Sequence, residues 1–157
     1  MSTLTTVYAN NYIASLITQP PVKLDVQQHY GRVRHLYDKY TQATGDAFGT
    51  SGLINMMTLL IGMRLVDAIN KCAATGATGQ YEIGWAADAA AVEAADPDGI
   101  FTTQDPGAAA VGAHMLQSVP GWQKQFTANV VVQVDWTEAQ ADNGTGAVEL
   151  ALFVVID

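Results

Sequence analysis

The sequence predicts an all-β domain, a sandwich or a barrel. Three observations predict it: six or more stretches with strand character, frequent glycine turns between them, and no long amphipathic helix. With 157 residues the chain is one domain's worth. Such a length buries roughly 68–70% of the surface an unfolded chain exposes. Hydrophobic residues make up 49% and charged residues 14%, against about 25% charged in an ordinary domain. That composition excludes a disordered tail. So little charge implies an outer surface partly covered by other subunits. A net charge of −8 argues against a nucleic-acid backbone or an anionic membrane as the partner.

Residues 1–29 read as an extended N-terminal arm ahead of a single domain over 30–157. Val7 to Ile17 is apolar without strict alternation, which suits a short helix or an irregular segment. Pro20-Pro21 then stops any helix and favours a stiff, polyproline-like path. An apolar, proline-stiffened segment must cover something, either its own domain or a neighbour. Val7, Tyr8, Tyr12, Ile13, Leu16, Pro20 and Pro21 are therefore the candidate partner-binding residues. The N-terminus lacks the basic start and apolar core of a secretory signal, so a soluble, unexported protein is expected.

From Gly31 to Tyr40 an imperfect alternation sets Val33, His35 and Tyr37 against Arg34, Leu36, Asp38 and Tyr40. A turn region is expected over Gly45–Gly52, then a mainly apolar run from Leu53 to Leu60, then Gly62 and a second run from Arg64 to Ala74. Tyr81, Ile83 and Trp85 alternate with Glu82, Gly84 and Ala86, the pattern of a half-buried strand. Ala87 to Pro120 reads as a long central excursion. Ala89–Ala95 and Gly107–Leu116 are expected as short helices around an Asp96-Pro97-Asp98-Gly99 turn. The final third alternates most clearly, through Phe126–Trp136 and Val148–Ile156. With Asn143-Gly144 between them, an antiparallel hairpin is the economical reading. The last strand is apolar on both faces, so it is expected at the centre of its sheet or under a neighbouring chain.

A search for chemistry returns little. His29, His35 and His114 have no metal-ligand spacing, and His35 reads as a packed imidazole. The single cysteine, Cys72, can form neither an internal disulfide nor a zinc cluster, and a buried thiol is its default. Gly49-Thr50-Ser51-Gly52 misses the nucleophile-elbow spacing, and Gly76-Ala77-Thr78-Gly79 lacks the lysine of a phosphate loop. Asp88, Glu93, Asp96, Asp98 and Asp105 could offer oxygens to a hard cation, but Asp96-Pro97-Asp98-Gly99-Ile100 does not fit an EF-hand, and a solvated loop is favoured. Arg32, Arg34 and Lys39 are too few for a basic stripe. No enzyme, cofactor, metal or nucleic acid is expected.

Charge is divided unevenly along the chain. Up to residue 71 there are six bases and four acids. After it there is one base, Lys124, against eleven acids. Such polarity could draw one surface of a copy to a different surface of its neighbour.

Several short motifs carry a family resemblance: Pro20-Pro21-Val22-Lys23-Leu24-Asp25, His29-Tyr30-Gly31-Arg32-Val33-Arg34, Ile83-Gly84-Trp85, Ala95-Asp96-Pro97-Asp98-Gly99 and Phe153-Val154-Val155-Ile156-Asp157. Spread over nearly the whole chain, they resemble a group of small virion structural proteins of tailed bacteriophages. The resemblance implies a capsid decoration, or cement, protein with a jelly-roll-like antiparallel β-sandwich. It would bind the outer surface of the head between subunits of the major capsid protein, as a homotrimer, after assembly in the host cytoplasm. The chain departs from that pattern in the apolar, methionine-rich Leu53–Met63 run and in its alanine-rich middle. A head-to-tail connector or tail-associated protein is the structural alternative. A carbohydrate-binding β-sandwich is the other, with Trp85, Trp122 and Trp136 as candidates. Trp85 and Trp136 lie on expected core faces, which leaves Trp122 free to act.

Overall fold

A computed structural model describes residues 2–8, 33–43, 46–73, 79–105, 111–139 and 146–156. The described residues form nine strands and no helix: β1 (Ser2–Tyr8), β2 (Arg34–Thr41), β3 (Asp46–Leu59), β4 (Met63–Cys72), β5 (Tyr81–Trp85), β6 (Asp96–Gln104), β7 (Val111–His114), β8 (Val130–Trp136) and β9 (Ala147–Ile156). They make two sheets, one in the order β1-β3-β8-β5-β6 and the other β2-β9-β4-β7. Every pairing is antiparallel except β1 with β3.

The pairing has a simple rule. β5 pairs with β6, β4 with β7, β3 with β8 and β2 with β9. The chain from β2 to β9 is thus one nested ladder, bent so that alternate rungs fall in alternate sheets. β4 beside β9 and β5 beside β8 complete the layers.

Period-2 burial joins the layers. In β8, Val130, Val132, Val134 and Trp136 are buried and the intervening residues are half-buried. In β9, Val148, Leu150, Leu152 and Val154 do the same. With Ile54, Leu59, Leu65, Tyr81, Ile83 and Phe126 they form one core, each large side chain contributing roughly 1.5–3 kcal/mol by burial. A buried polar contact crosses it: Asn70 Nδ2 of β4 donates to the Tyr81 hydroxyl of β5 over 2.6 Å. Burial pushes the nearby Cys72 thiol up to about 12, and the Tyr81 hydroxyl acts against that rise.

Several local expectations are corrected. The final two strands exist but are not a hairpin, since β8 lies between β3 and β5 and β9 between β2 and β4. Alternation says which face of a strand is buried, not which neighbour it pairs with. The Gly45–Gly52 turn is overturned where described, because β3 begins at Asp46. Gly49–Gly52 instead makes an irregularity in the ladder, where the register jumps from Leu4↔Phe48 to Thr6↔Leu53. The Asp96–Gly99 turn is the start of β6, which a proline tolerates at the edge of a sheet.

No helix forms over Ala89–Ala95, which is a series of turns and bends with Ala91 at a φ of 54°. Nor does one form at the end of Gly107–Leu116, where Val111–His114 is β7. A run of four to seven residues, many of them alanine, is too short to hold a helix without a buried face. β9 is central in its sheet, as its two apolar faces require.

Candidate interaction surface

Of the candidate arm residues, Val7 and Tyr8 belong to β1, opposite Ile54 and Asn55 of β3. Tyr12, Ile13, Leu16, Pro20 and Pro21 lie outside the described residues. β1 runs parallel to β3, so it leaves the sheet toward the end where β3 finishes at Leu59. β2 starts beside β9's last residues, with Arg34 opposite Val154, and β4 starts at Met63 opposite Ile156. β5 ends and β8 begins there too, Leu59 facing Val130 and Trp85 facing Val132. The exit of β1 and the entry of β2 are therefore at the same end of the domain.

That end is built from three connections fastened together. The tight turn Leu60-Ile61-Gly62 closes with the Met63 amide donating to the Leu60 carbonyl, and Gly62 takes the left-handed φ of 85° that side chains disfavour. Ile61's amide donates to Asn129 Oδ1 over 2.8 Å. The segment after β7 is sewn to β4 and β6: Gln123 donates to the Leu65 carbonyl and Gly121 to that of Gly99. Gln123 itself has a φ of 60°, costly for a residue with a β-carbon and sustained by the surrounding bonds.

The third connection, 86–95, is latched by a buried carboxylate. Glu93 accepts from Lys124 Nζ at 2.7 Å and from the Thr127 amide and hydroxyl at 3.2 and 2.8 Å. Burial pushes the Glu93 carboxyl up, but the bonds from Lys124 and Thr127 outweigh it and hold the group below the usual range. The Lys124 ammonium also lies over the Trp85 and Phe126 rings, 5.3 and 5.7 Å from their centroids. Asp88 shapes the same connection by accepting from the Glu93 and Ala90 amides, which lowers its carboxyl.

The acidic excursion thus uses its carboxylates internally. Asp96 is held above the usual range by burial, by a hydrogen bond with Asp98 and by that neighbour's charge. No three His, Cys, Asp or Glu side chains come together as a metal cluster among the described residues.

The two sheet faces differ. On the outer face of the β3-β8-β5 layer, Gln133 Nε2 donates to Asn55 Oδ1, and Glu82 sits directly across from Asp135. Burial and then the Glu82 charge raise the Asp135 carboxyl. On the outer face of the other sheet the His35 ring stacks on Phe153 at 5.1 Å, so this imidazole is packed on an exposed surface and not in the core. Beside it Glu149 accepts from Lys39 and from the Tyr37 hydroxyl, each at 3.3 Å. An open groove between the edge strands β6 and β7 is lined by Ile100, Phe101, Gln104, His114, Leu116 and Val119.

Of the three tryptophans, Trp85 and Trp136 are buried, and Trp122 is 37% exposed. Sequence reasoning singled out Trp122 but not the exposed Leu60 and Ile61, which lie within one apolar run. The Gly62 that follows them was the available signal.

Fold and surface together define a class: an all-β domain of two open sheets built from one nested ladder, with fastened connections at one end. No protein-family model matches the sequence, and no curated protein matches it. Two solved structures match the fold along nearly their whole length. One is in the capsid of Ralstonia phage GP4, with a TM-score of 0.67 and 17% identity, covering 97% of this chain and 98% of that one. Another is in the capsid asymmetric unit of cyanophage Pam1, with a TM-score of 0.62 and 16% identity, covering 88% and 96%.

Proposed function

We propose that the chain is a virion structural protein of a tailed bacteriophage, and within that class a capsid decoration protein. The observation that carries the reading is the end-to-end likeness to chains found in two phage capsids, with neither partner leaving a domain over. The strand order supports a jelly roll: β2-β9-β4-β7 against β3-β8-β5-β6 is eight strands in two sheets, with β1 added at an edge. The protein works without catalysis. It binds the outside of the head between major capsid protein subunits and stabilises the assembled shell by mass action, about 2.7 kcal/mol per site at a concentration 100-fold above Kd. Many repeated contacts then reinforce the shell together. The arm, with Val7, Tyr8, Tyr12, Ile13, Leu16, Pro20 and Pro21, supplies contact area.

The test adds purified protein to expanded shells that lack it and counts bound copies while following shell melting. Hundreds of copies and a raised melting temperature are expected. Six or twelve copies would mean a connector, and no binding would end the proposal. Deleting residues 1–21 should weaken binding. Full binding by a folded deletion variant would remove the arm from the account.

A further inference from the structure

β6 is an edge of the five-stranded sheet, so among the described residues one flank of its backbone meets no strand of that sheet. Such an edge is a template for a strand from another molecule. Its second half, Ile100-Phe101-Thr102-Thr103-Gln104, is β-branched, aromatic and uncharged. That is the composition of segments that stack into cross-β ladders. The open groove beside β7 runs along this same stretch, with Leu116 61% exposed on its wall. The rest of the strand is blunted. Asp96-Pro97-Asp98 puts two charges and a proline at its start, and Asp105-Pro106 follows its end. The Gly121 amide occupies the Gly99 carbonyl at 2.7 Å.

The uncharged half has a different protection. The ladder to β5 shifts register between Tyr81↔Gln104 and Ile83↔Phe101, and Thr102 and Thr103 stand in that shift, both exposed. The Gln104 side chain turns back onto them. Its Nε2 donates to the Thr102 carbonyl at 2.8 Å and to the Thr103 carbonyl at 3.2 Å. A strand adding at this point needs carbonyls of β6 for its own amides. We propose that Gln104 is an edge guard: by occupying the Thr102 and Thr103 carbonyls, its side chain keeps the uncharged half of β6 closed to strand addition. The guard wins by proximity, since a donor one or two residues along the same strand is at far higher effective concentration than one on another molecule. The proposal stands apart from shell binding, because it is read on purified protein alone.

The experiment agitates full-length protein below its melting transition and follows thioflavin fluorescence and light scattering, for wild type, Gln104→Met and Gln104→Asn. Methionine keeps the length and removes the donors; asparagine keeps the amide but falls one methylene short. Gln133→Met, which loses the Asn55 bond on the interior strand β8, is the control for losing one side-chain bond. Both Gln104 variants should form thioflavin-positive aggregate at least about tenfold faster than wild type. Hydrogen exchange of that aggregate should show protection centred on residues 100–104. Adding Thr102→Lys, a charge on the exposed edge, to Gln104→Met should restore the wild-type rate. Urea midpoints verify each fold, and the asparagine variant carries the test if the methionine one does not fold. Gln104 variants no faster than wild type overturn the proposal. So do an aggregate protected elsewhere in the chain, a double variant without rescue, or a Gln133→Met control that aggregates as fast, which would trace the effect to general loosening.

Discussion

Replacing Lys124 with methionine removes one hydrogen-bonded charge from the Glu93 latch and keeps most of the side chain's bulk. The variant loses a charge-assisted bond at 2.7 Å, a class worth about 1.5–3 kcal/mol. It also loses the ammonium over Trp85 and Phe126, about 0.5–1 kcal/mol at a partly exposed site. What remains is a buried carboxylate with only Thr127 as a donor among its two named partners. A loss of about 2–4 kcal/mol at pH 7 follows. For a chain of this size that lowers Tm by roughly 4–16 °C.

The pH dependence has a definite sign. Because the folded Glu93 pKa is depressed, its contribution is present above the unfolded carboxyl pKa and fades as pH falls through the folded value. The gap between wild type and Lys124→Met should therefore be widest near neutrality and narrow under acid. Urea unfolding at a series of pH values measures it. A loss below about 0.5 kcal/mol at pH 7, the range of ordinary surface substitutions, would refute the latch. So would a gap that widens as pH falls.

Gly84→Ala should fail to fold or lose more than about 3 kcal/mol, since a β-carbon there would meet the Asp96 and Pro97 backbone, which cannot swing aside as a side chain does. Thermal melts beside Gly112→Ala, which meets open space, make the comparison. Cys72 is fully buried with its pKa near 12, so a thiol reagent at pH 8 should not label the native protein and should label it fully in urea. Rapid native labelling would contradict the burial.

Strand positions were legible wherever alternation ran for five residues or more. Tyr81–Trp85 and the β9 run stand where their patterns put them, whereas β8 starts at Val130, four residues later than the alternation from Phe126 implied. Partners were not legible, because period-2 alternation carries no information about which strand lies alongside. β6 escaped notice because its buried pair Ile100-Phe101 is short and follows a proline-glycine sequence that reads equally as a turn. Its extended course depends on Gly99 fitting beneath the Trp85 ring, a long-range contact invisible locally. On the surface the sequence singled out Trp122, from its place beside Pro120-Gly121. The exposure of Leu60, Ile61 and Val92 depends on where the strands around them lie, and strand order is settled by the whole chain at once.

The pairing of Arg34 with Val154 also governs when the domain can form. At translation speeds of about 5–20 residues per second, β2 emerges roughly 6–24 s before the strand that will flank it. The innermost pair, β5 with β6, is available long before the outermost. Newly made β2 must therefore wait unpaired until β9 has been made, and in a cell crowded with identical nascent chains the hazard is that it meets another copy's β9 before its own.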